Sequence, residues 1–115
     1  MRRAILVAVA MSCLMLDKAA GAAETQFYVT GNKLLEFCEV PAVTSACYGY
    51  VLGVVDALQV MGADAPKFSF CVPDRVESGQ LVDVVKAFLR DHPEKRHLPA
   101  SDLVTAALNE KFPCN

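Results

Sequence analysis

Apolar positions in this chain fall into four helix-like blocks separated by breaks at Pro and Gly. Leu34, Leu35 and Cys38 follow Thr30-Gly31-Asn32, a run suited to capping a helix, and Pro41 stops what they begin. This predicts a short helix over 31–39. From Cys47 to Met61 the pattern changes, because nearly every position is apolar and only Asp56 and Gln59 interrupt. A helix that is hydrophobic all round belongs in an interior. The expectation is therefore a central buried helix over 45–62, capped by Thr44 or Ser45 and stopped by Gly62. Gly49, Gly53 and Ala57 recur at every fourth position and make one smooth stripe. In a buried helix such a stripe is where another backbone approaches closely.

The next block is amphipathic. Leu81, Val84, Val85 and Phe88 fall at i, i+3, i+4 and i+7, Val82 and Leu89 widen the stripe, and Gln80, Asp83, Lys86, Arg90 and Asp91 mark the wet side. A helix over 78–91 follows, with Ser78 as its cap and Pro93 as its stop. Pro99 suits the first position of a last helix, 99–111, whose inner stripe is Ala100, Leu103, Val104, Ala107 and Leu108. The connection between the second and third helices holds Pro66 and Pro73 and has no helical period. Alternating Phe68, Phe70 and Val72 would allow a short extended piece there, pinned to the core. The fold class is all-α, a compact bundle of about four helices in a single domain.

Residues 1–22 stand apart. Arg2-Arg3 precedes a short apolar run from Ala4 to Leu16, and Ala20-Gly21-Ala22 offers small residues for cleavage. Those are the three parts of a secretory signal, and the run is too short for a comfortable membrane span. The expected mature domain is 23–115, exported to the periplasm. The whole chain carries a formal charge of −2. Arg2, Arg3, Lys18 and Asp17 leave with the leader, which takes the mature charge to −4. No basic run or stripe remains, so nucleic acid and anionic lipid are disfavoured as partners.

Export gives the cysteines their meaning. Of 5 in the chain, Cys13 leaves with the signal, and Cys38, Cys47, Cys71 and Cys114 remain. An even set in a small exported domain reads as a disulfide framework. A zinc site would be expected to include a Cys-x-x-Cys pair, and none is present. Among the three possible pairings, Cys38–Cys47 with Cys71–Cys114 is favoured. The first pair joins the end of one helix to the start of its antiparallel neighbour. The second lies just before the third helix and just after the fourth. Cys47–Cys71 with Cys38–Cys114 is the runner-up.

Catalytic chemistry has little to build on. His92, His97, Ser101 and Asp102 contain the right residue types for a nucleophilic site, but they sit in a turn and a helix start where Ser and Asp are ordinary. There is no His-Glu-x-x-His, phosphate-cradling loop or nucleophile elbow. The expectation is a protein with no enzymatic activity, cofactor or metal. Asp56, a candidate buried polar group, has two readings: a structural carboxylate that is satisfied by hydrogen bonds or lies on a narrow exposed strip, or a partner-facing or pH-sensing group. Tyr48 and Tyr50 are expected half-buried at a helix start. Candidate interaction residues are Asp64 and Lys67 in the long connection, and Glu94, Arg96 and His97 in the charged turn.

Several segments together resemble one family. They are Gly31-Asn32 with Leu35 and Cys38, Cys47-x-Gly49-Tyr50-x-x-Gly53-x-x-Asp56, and Phe70-Cys71-x-Pro73. Gln80-Leu81-Val82 with Val85, His92-Pro93-Glu94 with Arg96, Pro99-Ala100 with Leu103-Val104, and Phe112-Pro113-Cys114 complete the set. In order and spacing they are similar to the Rap/Tai immunity proteins of type VI secretion. The resemblance implies a disulfide-containing helical protein, often a homodimer, that plugs the active-site cleft of a peptidoglycan amidase effector. It supplies no catalytic residues. The alternative from another class is a small periplasmic stress or acid-chaperone-like protein with no toxin partner.

Overall fold

Thr30 opens the first helix by accepting a hydrogen bond from the Lys33 amide on its hydroxyl, as the capping run predicts. The computed structural model describes residues 26–64 and 69–115. Within them lie α1 (Gly31–Glu39), α2 (Thr44–Met61), α3 (Ser78–Asp91) and α4 (Ala100–Lys111). Single 3-10 turns occupy Pro41–Val43, Gly62–Asp64 and Pro93–Lys95. The four predicted helices are present, each within a residue of its expected bounds. Among the described residues there is no strand, only an isolated antiparallel bridge between Thr30 and Pro99.

Two helix starts differ in detail from expectation. α3 is capped by Glu77 rather than Ser78, because the Gln80 side chain accepts from the Glu77 amide at 2.7 Å and closes a capping box. α2 has no side-chain cap. The chain enters it through the Pro41–Val43 turn instead, and the Thr44 hydroxyl donates back to the Val40 carbonyl at 3.2 Å.

All four helices feed one core. Leu34 of α1, Val51 of α2, Val85 and Leu89 of α3, and Val104 and Leu108 of α4 are fully buried. Phe70, in the connection before α3, is buried with them, while Cys71 is exposed and Val72 half-buried. Phe68 of the predicted alternation lies outside the described residues; the rest of the segment is pinned to the end of α4 without a sheet, the Cys71 amide donating to the Phe112 carbonyl at 2.8 Å.

Both favoured disulfides form. Cys38 and Cys47 have Cα atoms 4.9 Å apart, and Cys71 and Cys114 are 5.0 Å apart. The first bridge is buried between α1 and α2, whereas both cysteines of the second are exposed.

The expectation that fails concerns α2. It is not a central helix, since only Cys47, Val51 and Val55 are buried along it. Those positions are four apart and lie on one face, with Leu58 continuing the line half-buried. The opposite face carries Ala46, Gly49, Gly53, Ala57 and Val60, all exposed. Gly and Ala read as apolar in a pattern but have almost no side-chain area to bury, so they do not draw a helix inward. The glycine stripe does no packing within this chain, because a Cβ added at Gly49 or Gly53 would meet nothing within 4 Å. Asp56 lies on the same exposed side. It is therefore not a buried polar group, and the exposed-strip reading replaces that one.

Candidate interaction surfaces

The charged turn after α3 is held by its own side chains. Arg96 turns back onto the helix end, its Nε donating to the Leu89 carbonyl at 2.6 Å and its Nη2 to the Arg90 carbonyl at 3.0 Å. These are carbonyls that the end of α3 leaves without helical partners. The Arg96 carbonyl in turn accepts from the Asn32 amide at 2.9 Å, and the Leu98 carbonyl accepts from the Gly31 amide at 3.0 Å. Gly31 is required at that joint. A Cβ there would run into the Leu103 side chain and lie 2.9 Å from the Arg96 Cα. Arg96, expected as an interaction residue, is thus half-buried and occupied in joining the end of α3 to the start of α1.

His92 lies against Phe88, ring centroids 4.4 Å apart, and its Nδ1 is 3.2 Å from a Glu94 carboxylate oxygen. A hydrogen bond from its own backbone amide, with His92 adding to it, holds the Glu94 carboxyl below its usual range. Glu94 and His97 are exposed, as an interaction edge requires. Ser101 and Asp102 open α4, where Ser101 faces Tyr50 rather than a histidine. Burial raises the Tyr50 hydroxyl above its ordinary value, against hydrogen bonding from Ser101 and with Asp102 adding to the rise. His92 pairs with Glu94, and no hydrogen bond joins either histidine to Ser101 or Asp102 among the described residues. Among the described residues no group of three or more His, Cys, Asp or Glu is placed to hold a metal ion.

The other predicted interaction residues lie at the far end of α2. Asp64 is exposed on the turn that follows the helix, and Lys67 lies outside the described residues. Beside that turn a shallow groove of about 210 Å³ is lined by Leu58, Gln59, Gly62, Ser69, Phe70 and the Cys71–Cys114 bridge. Asp64 therefore belongs to a different surface from Glu94 and His97.

Two surfaces were not foreseen from sequence. A groove of about 410 Å³ between α3 and α4 has Val84, Phe88 and Ala107 on its floor and Asp91, His92, Glu110 and Lys111 at its rim. It exists because two amphipathic helices diverge above their shared core, and no short motif signals that. The second is the outer face of α2. Val60 is 89% exposed and Met61 48%. Only 17% of the most apolar window of Pro41–Met61 is buried, although that segment is long and apolar enough to cross a membrane. A contiguous apolar surface of this kind marks an interaction site more often than an accident.

These surfaces lie on a scaffold that two disulfides and the Arg96 joint hold in place. Comparison with curated proteins and with solved structures gives no match. The sequence profile of the Rap1a immunity proteins matches residues 30–114.

Proposed function

Because this chain belongs to the Rap1a immunity protein family, we propose that it binds and blocks a peptidoglycan amidase effector delivered by type VI secretion. The family is one of binding proteins directed at secreted effectors, and it includes the whole helical domain described here. The match over residues 30–114 is the observation that carries the proposal, and the fold agrees with it. An inhibitor has to hold a shaped surface without rearranging, since ordering a loop on binding costs affinity. Here the turn carrying Glu94 and His97 is fixed by Arg96, and the segment leading into α3 is fixed by Cys71–Cys114.

The site of action is the periplasm. Two disulfides and the family point to an exported protein, and residues 1–22 supply the leader. The net charge of the mature chain suits a protein partner with basic patches and disfavours nucleic acid. Family membership weighs against the stress-protein alternative, which rests only on size, helices and disulfides.

The test uses the oxidised protein with a peptidoglycan amidase effector of type VI secretion from the same genome. The expected result is co-elution of the two and loss of peptide release from purified peptidoglycan as the inhibitor reaches equimolar amounts. Undiminished hydrolysis at excess inhibitor would overturn the amidase assignment.

A further inference from the structure

The two disulfides stand in different surroundings. Cys38 is 5% exposed and Cys47 fully buried, whereas Cys71 and Cys114 both lie at the surface. The groove beside the end of α2 opens onto the second bridge, with Phe70 and Ser69 next to it. Thiol exchange requires a thiolate to reach one sulfur of the disulfide. Of the two bridges, Cys71–Cys114 alone meets that condition in the folded chain.

What this bridge holds has few other ties. Residues 69–76 form a strap leading into α3, without helix or strand. Among the described residues, its sole backbone hydrogen bond to another element runs from the Cys71 amide to the Phe112 carbonyl, at 2.8 Å. The Val76 amide closes a turn inside the strap onto the Pro73 carbonyl at 3.3 Å. Within that turn Arg75 has a φ of 75°, a left-handed conformation that a residue other than glycine keeps only while its surroundings impose it. Phe70 anchors the strap in the core, and Val72 and Val76 are half-buried beside it. A segment with so few backbone ties falls at the low end of local stability once its cross-link is removed.

We propose that Cys71–Cys114 is a redox site at which a dithiol unlocks this strap. A thiolate of the dithiol attacks one sulfur of the bridge, forming a mixed disulfide and releasing the other cysteine as a thiolate. The second thiol of the reductant then attacks the mixed disulfide and expels the remaining cysteine. The disulfide bond now lies in the reductant, two electrons have passed to the protein, and the protons of the dithiol end on Cys71 and Cys114. Freed from the end of α4, the strap gives up the Cys71–Phe112 hydrogen bond and the seat of Phe70. Helices α1 and α2 stay joined through the buried bridge, and Arg96 keeps the turn after α3 closed. Reduction thus alters the face beside the end of α2 and spares the turn at Glu94 and His97. The proposal does not depend on the amidase assignment, because no effector takes part in it.

Titration of the oxidised protein with dithiothreitol, quenched by alkylation, tests the site. The expected first product is labelled on Cys71 and Cys114 alone and keeps the far-ultraviolet circular dichroism of the helices. Hydrogen exchange and chymotrypsin then test the strap. In that product the Cys71 and Val76 amides are expected to lose protection and cleavage after Phe70 to begin, while α1 and α2 stay protected. Reoxidation is expected to restore the locked state. Cys71→Ser combined with Cys114→Ser is expected to show the same losses without reductant, and the reduced wild-type chain decides the question whether or not that variant folds. A first product labelled on Cys38 and Cys47, alone or together with Cys71 and Cys114, would overturn the proposal. A product opened only at Cys71–Cys114 whose Cys71 amide and Phe70 remain protected would overturn it equally, because the bridge would then hold nothing that the core does not.

Discussion

At the scale of single residues, three positions show how differently similar letters act. Gly31 and Gly53 both open or occupy helices, but only Gly31 faces backbone. Gly31→Ala is expected to destabilise by about 1–3 kcal/mol, the usual consequence of forcing atoms into a packed joint. Gly53→Ala is expected to stabilise by about 1 kcal/mol, the helix-propensity difference alone, because the position is open. Thermal unfolding of the two variants reads the difference in sign. Arg96 is the third position. Its two charge-assisted bonds close the end of α3 on a half-buried site, so Arg96→Ala is expected to cost about 2 kcal/mol. Arg96→Lys should recover little of this, because an ammonium lacks the planar fork that reaches two carbonyls together. Denaturant unfolding of both variants measures it, and full recovery by Lys would contradict the geometry.

At the scale of elements, the two bridges do unequal work. Closing the shorter span of Cys38–Cys47 contributes about 3 kcal/mol by chain entropy, and the longer Cys71–Cys114 about 4 kcal/mol. Their accessibility runs the other way. Cys38 and Cys47 are buried, whereas both ends of Cys71–Cys114 are exposed. Thiol exchange requires an approach to the sulfur. Mild reduction followed by alkylation and peptide mapping is therefore expected to label Cys71 and Cys114 well before Cys38 and Cys47. Simultaneous labelling would mean that the first bridge opens only with global unfolding and the second does too. The bridge between α1 and α2 also explains why a nine-residue α1 holds its place. A helix that short is marginal alone, and it is tied at one end by Cys38 and at the other by the Gly31 joint.

At the scale of the whole molecule, the core and the surfaces come from different parts of the sequence. The core is one contiguous cluster drawn from all four helices, and the groove between α3 and α4 lies over it. The candidate binding residues sit outside it, on the turn after α3 and the segment after α2. That separation suits an immunity protein, because the surface can change without disturbing the core. It also means that substitutions at exposed Glu94 or His97 should change binding with little effect on folding, whereas Arg96 changes both.

Helix number and helix bounds were determined by sequence alone, because they depend on local periodicity and on Pro and Gly; the disulfide pairing was only ranked there, and the packing of helix ends decided it. The family was legible too, since it rests on residue types in order. The side of α2 that would be buried was not legible. Hydropathy counts Gly49, Gly53 and Ala57 as apolar, but only tertiary packing shows that Cys47, Val51 and Val55 bring the buried area and that the small residues face out. The same limit applies to Arg96 and Asp56. A charged residue in a polar turn and one in an apolar helix look like a surface group and a buried one. The fold reverses both, because Arg96 lies over the carbonyls that end α3 and Asp56 is exposed.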